Sequence, residues 1–171
     1  MKFITKITFL IIFFAGIYSC SEDTVYNAKP LTLEELKSLP GFLWFSPEYD
    51  AYKPDSARLI QIKNAFVPDE HRFIFYASLT CSCTLPQEKF PRAVKTLDSA
   101  GIDKSYYEIY SMTSTIYRQP YDTIFKVNKL PALMIMKKGK PVFSVIDSMN
   151  AAKGADTLKK IEDYVLEGLL K

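Results

Sequence analysis

The chain has 171 residues, 24% of them charged and 48% apolar, the composition of an ordinary globular protein with room for one domain and a short extension. Lys2 and Lys6 are the only charges before Cys20, so of the formal +3 only +1 belongs to the rest of the chain. No basic stripe is left to argue for nucleic acid, and the 11 Tyr and 12 Phe read as core and strand packing rather than as a binding surface.

The first segment is expected outside the fold. After the positive start, residues 7–17 form an apolar run of secretory length, too short for a permanent membrane helix. The run ends in Ile17-Tyr18-Ser19-Cys20. This resembles a bacterial lipobox, in which a small residue precedes a cysteine that is lipidated and becomes the new N-terminus. Ser19 fits the pattern, and Tyr18 is bulkier than such motifs usually carry. The resemblance implies a signal peptide over residues 1–19, a lipid anchor on Cys20 and a tether over residues 20–31. Ser21-Glu22-Asp23-Thr24 is polar and acidic, as a tether requires. Ser21 is not the aspartate that favours inner-membrane retention in such lipoproteins. The expected location is therefore the cell envelope, at the outer membrane, on its periplasmic or surface face.

The domain is expected over residues 32–171. Thr32 and Glu35 have capping-box spacing and open a short helix that Pro40-Gly41 ends. Residues 41–45 are apolar and aromatic and read as a strand; residues 46–54, with two prolines, read as a loop. Asp55 caps a helix through Ala57, Ile60, Ile62 and Phe66. Residues 72–77 are an unbroken apolar run, the signature of a central strand buried on both faces. A helix over residues 86–100 carries Phe90, Val94 and Leu97 on one side and stops at Gly101. Residues 106–112 form the next strand, and residues 113–127, interrupted by Pro120, a loop with a helical turn or two. Residues 132–137 and 141–147 make a hairpin around Lys138-Gly139-Lys140. Asp156 is expected to cap a closing helix with apolar Leu158, Ile161, Val165 and Leu169. Alternation first and a hairpin last predict an α/β domain with a mixed sheet and helices on both faces.

Three cysteines are present, and a lipid on Cys20 leaves Cys81 and Cys83 one residue apart. A bridge between them closes a tiny loop and removes little entropy from the unfolded chain, so it is a poor staple. Such a pair is also geometrically tight, and strained disulfides are the more easily reduced ones. The spacing therefore points to a reactive pair or to a metal pair.

Together these features resemble the thioredoxin family. A buried strand leads into the cysteine pair in Phe75-Tyr76-Ala77-Ser78-Leu79-Thr80-Cys81-Ser82-Cys83, and a helix follows. Downstream, Val127-Asn128-Lys129-Leu130-Pro131-Ala132 looks like the family stretch in which a cis-proline precedes a strand ending in Lys-x-Gly, here Lys137-Lys138-Gly139. A terminal amphipathic helix completes the likeness, which spans residues 41–171. It implies a thioredoxin-like fold with an N-terminal extension, and an envelope thiol-disulfide oxidoreductase or isomerase. Aligned on Tyr76-Ala77 without gaps, Cys83 falls on the family's resolving cysteine and Thr80 on its nucleophile; Cys81, expected nearer the exposed loop, is taken as the nucleophile, and Leu130 and Pro131 as the place where an extended substrate docks. The implied partners are envelope proteins bearing thiols or disulfides; no cofactor is implied. The family usually has Cys-x-x-Cys, and its buried acid falls on Ile74 here, so both the spacing and the proton path differ. Those departures fit an oxidising or isomerising protein better than a general reductase.

Two other readings use the same residues. Cys81 and Cys83 can ligate a soft ion such as Cu(I), with Met112, Met134 or Met136 assisting; Met134 and Met136 share one strand face. The plainer reading of those methionines is core packing. A redox-inactive interaction domain is the other reading. His71, the only histidine, stands among Asp69, Glu70 and Arg72 and reads as a solvated loop residue.

Overall fold

The computed structural model describes residues 27–78 and 84–171, so Cys20, Cys81 and Cys83 lie outside the described residues. Within them the chain is mixed α/β. The elements in order are β1 (Lys29–Leu31), α1 (Leu33–Ser38), α2 (Phe45–Ala51), α3 (Ser56–Ala65), β2 (His71–Ala77), α4 (Thr84–Ser99), β3 (Tyr107–Ser111), β4 (Ala132–Lys137), β5 (Lys140–Ser144), α5 (Val145–Ala151) and α6 (Ile161–Leu169). One five-stranded sheet runs in the order β1-β3-β2-β4-β5. β2 is parallel to β3, and the remaining pairings are antiparallel.

β2 is the middle strand and is covered on both sides, which is why it lacks alternation. Phe73, Phe75 and Ala77 enter the larger core cluster with Tyr107, Ile109, Leu133 and Ile135 and with side chains from every helix. Ile74 and Tyr76 enter a smaller cluster on the opposite face, with Ala28, Met112, Val127 and Met136. Tyr121, Phe125 and Leu130 pack against that second cluster. Helices on both faces were expected; the helices' buried side chains gather on one face, and residues 113–131 cover the other without a helix. Pro120 and the lack of a helical apolar repeat explain why this cover is irregular.

Several sequence signals act as read. The Thr32 side chain accepts from the Glu35 N–H at 3.1 Å, and Glu35 accepts from the Thr32 N–H at 2.7 Å. Asp55 accepts from the Arg58 N–H at 3.0 Å and starts α3. Phe90, Ala93, Val94 and Leu97 line the buried side of α4, and Gly101, at φ +74°, ends that segment. Lys138 and Gly139, at φ +51° and +75°, make the tight hairpin turn between β4 and β5.

Four boundaries differ from expectation. The end of the expected tether is a strand: Lys29–Leu31 pairs with β3. The strand expected over residues 41–45 is a 3-10 turn, Pro40–Phe42, followed by α2, which also takes up most of the loop expected to follow. Phe42, Phe45 and Tyr49 recur at helical spacing and are buried together with Phe90, and Pro47 sits in the first turn, where its missing N–H costs nothing. β5 stops at Ser144, whose hydroxyl donates to Asp147 at 2.8 Å as α5 begins. Asp156 lies in a 3-10 turn, Leu158 is 84% exposed, and α6 starts at Ile161, with the Asp163 carboxylate accepting the Lys160 N–H at 2.9 Å.

Candidate functional site

One row of residues crosses the end of the sheet from which the cysteine segment departs. Lys29 of β1 pairs with Ser111 of β3, and Ser111 pairs with Ala77 of β2. Tyr76 pairs with Ala132 of β4, so Pro131, one residue earlier, follows beside Ala77. The Met112 N–H donates to the Ala77 carbonyl at 2.8 Å and extends the row past β3. Buried Ser78 follows Ala77, residues 79–83 come next in sequence, and Thr84 is the first residue of α4. The first turn of a helix leaves backbone N–H groups without helical partners and carries the positive end of the helix dipole. Here that end is joined directly to the segment bearing Cys81 and Cys83.

The Leu130–Pro131 peptide is cis, as expected. Pro131 is buried, and Leu130 is half-buried against the smaller cluster. Ile74, onto which the thioredoxin resemblance would place a buried acid, is 1% exposed and packs in the smaller apolar cluster. A carboxylate nevertheless stands one strand away, because Ile74 pairs with Glu108. Glu108 accepts the hydroxyls of Tyr110 at 2.6 Å and Tyr121 at 2.8 Å. Burial, reinforced by that carboxylate, pushes both phenols above the ordinary tyrosine value, so they serve as donors. Tyr76 donates its hydroxyl to Gln119, a fully buried side chain whose Oε1 also accepts the Tyr121 N–H at 2.7 Å and whose Nε2 donates to the Phe125 carbonyl at 3.0 Å. This tyrosine–glutamate–glutamine cluster braces residues 119–125 against the sheet, just before the cis-proline. Sequence reasoning missed it, since its partners meet only through the strand register; Gln119 next to Pro120 inside an aromatic stretch was the one available hint.

Met112 and Met136 are buried in the smaller cluster and Met134 packs against it, which is the core role that the plainer reading gives them. Among the described residues no group of three His, Cys, Asp or Glu side chains is placed to hold a metal ion. His71 corrects the expectation of a solvated loop residue: it is the first residue of β2 and only 1% exposed. Its Nδ1 accepts the Val67 N–H at 2.9 Å, and its ring lies 6.0 Å from that of Phe66. Its charged neighbours in sequence concealed the burial, because alternation turns Arg72 outward while His71 turns in. Compared with known proteins, the sequence matches no family model and no curated relative.

Proposed function

We propose that this chain is a lipid-anchored envelope thiol-disulfide oxidoreductase or isomerase of thioredoxin-like fold, with Cys81 and Cys83 as its exchanging pair. The observation that carries the reading is positional. In sequence the cysteines fall in the short stretch between the end of the central strand and the start of α4, and cis-Pro131 stands beside Ala77, the last residue of that strand. A thiolate in that stretch gains from a helix N-terminus, which favours the charged form over the thiol.

In the exchange, the Cys81 thiolate attacks one sulfur of a substrate disulfide, and the departing substrate sulfur takes a proton. Cys83, deprotonated, then attacks Cys81 and releases the second substrate thiol. The substrate gains two electrons and two protons, and the domain dithiol becomes a disulfide. Oxidation of a substrate dithiol runs the same steps backwards, and isomerisation stops at the mixed disulfide and returns it.

Equilibrating the protein with glutathione buffers tests the reading. A reversible Cys81–Cys83 couple at roughly −120 to −200 mV supports an oxidising or isomerising role. Full exchange activity in Cys81→Ser removes Cys81 as the nucleophile. Failure to form any intramolecular disulfide overturns the redox reading, and a Cu(I) titration then separates a soft-metal site from an interaction domain.

A further inference from the structure

β1 starts at the end of the sheet where β2 stops, the end from which the cysteine segment follows. Lys29, Ser111 and Ala77 stand in one row, and neighbouring strands lie about 4.8 Å apart, so Lys29 stands about 10 Å from the end of β2. The two residues just before β1 lie against residues 113–127. The Asn27 and Ala28 N–H groups donate to the Arg118 carbonyl at 3.0 and 3.2 Å, and the Arg118 N–H donates to the Asn27 side chain at 3.4 Å. From Cys20 to Asn27 the chain spans at most about 25 Å when fully extended.

This same stretch exposes apolar side chains. Ile116 is 86% exposed and Tyr117 40%, and both line a surface depression of about 520 Å³ together with Arg118, Lys126 and the Asp122 carboxylate; Ile124, in the same stretch, is 47% exposed. The stretch is held in place by buried Gln119, whose backbone N–H donates to Asp122 at 2.9 Å, so the apolar groups are presented from a braced support. Aliphatic side chains beside a tyrosine and two cations suit the boundary between headgroups and acyl chains: the apolar groups enter it and the cations meet phosphate.

We propose that residues 113–127 are a bilayer-contact surface. With Cys20 acylated, the short tether brings Ile116, Tyr117 and Ile124 onto the membrane, and Arg118 and Lys126 face anionic lipid phosphates. The proposal rests on the lipid-anchor reading above. It holds the cysteine end of the sheet close to the bilayer, so the favoured substrates are proteins whose thiols or disulfides lie near the membrane.

The test uses the full chain matured in a Gram-negative host and reconstituted into phosphatidylethanolamine–phosphatidylglycerol vesicles with brominated acyl chains. Trp44 is the only tryptophan, and it is half-buried. In Ile116→Trp, the added indole loses fluorescence to the bromines, whereas the wild-type emission from Trp44 is unchanged. Reversing charge in Arg118→Glu/Lys126→Glu weakens that quenching. An acylated chain whose Ile116→Trp emission is not quenched overturns the surface and leaves the anchor standing. Emission that shifts with protein density and ignores the bromines identifies a second copy as the occupant and also overturns it. An intact mass without acyl groups on Cys20 overturns the anchor and this surface together, while the glutathione equilibrium reports on the cysteine pair independently.

Discussion

Gln119 accepts the hydroxyl of Tyr76 from across 43 residues of sequence, and both side chains are buried. The contact ties the central strand to the irregular cover on the second face. Truncating the glutamine strands the Tyr76 hydroxyl and the Tyr121 N–H in an apolar setting. Gln119→Ala is expected to cost about 3 kcal/mol in chemical denaturation, and Tyr76→Phe about 1 kcal/mol, since the second variant leaves Gln119 with its other partners. Equal costs for the two would show that Gln119 does not organise this cover.

A second carboxylate anchors the other face. Asp98 of α4 accepts the hydroxyl of Tyr107 at 2.6 Å and that of Tyr49, so one side chain joins α4, β3 and α2. Lys37 and Lys95 lie over the Tyr49 ring at 4.4 and 4.8 Å. Asp98→Ala should lower stability by about 2 kcal/mol and Tyr49→Phe by about 1 kcal/mol, with a coupling near the smaller value in the double variant. Thermal unfolding of the wild type and the three variants measures this.

Acid should weaken the fold through His71. Burial first, and then the Lys137 charge opposite it, hold the imidazole below its ordinary value of 6.5. Its Nδ1 lone pair is also engaged by Val67. The unfolded chain therefore takes up the proton more readily than the folded one. Stability is full above about 6.5 and falls as the pH drops towards the folded-state value. Urea midpoints between about pH 7.5 and 5.5 should decline for the wild type. They should stay flatter for His71→Asn, which keeps an acceptor for Val67 and removes the titration.

Alkali should act through the phenols. Tyr49, Tyr52, Tyr76, Tyr107, Tyr110 and Tyr121 are all raised above their ordinary value of 10.0, with burial the largest cause in each. A raised folded-state value means that the stability they contribute is present below 10 and is lost as the pH climbs past it. Phenolate absorbance from these groups should therefore appear together with the loss of far-ultraviolet circular dichroism. Full ionisation of all six with the circular dichroism intact would contradict their burial.

Much of the sheet was legible because its signals are local. The apolar run of β2, the Lys138-Gly139 turn and the caps at Thr32 and Asp55 each depend on neighbours within a few residues. α2 was not legible because its apolar residues are aromatic and two prolines sit nearby, which mimics a strand and a loop; only contact with Phe90 shows that Phe45 faces a helix. The irregular second face was hidden for a similar reason. Gln119, Tyr76 and Glu108 find one another through strand register, and no periodicity encodes that. At the candidate site, the order of strand, cysteines, helix and proline was readable, and so was the cis peptide. The alignment of Lys29 with Ala77 was not, since it needs β1 to pair with β3 inside a segment that looks like a tether.

The two borders of the sheet share a dipeptide. β1 carries Lys29-Pro30 and β5 carries Lys140-Pro141. Proline has no N–H to donate, and the adjacent ammonium resists the approach of another cation-bearing border. Two copies brought edge to edge therefore find an interrupted ladder and like charges on either side. Crowding raises the frequency of such encounters, and a domain with these borders is protected against zipping into fibrous sheets.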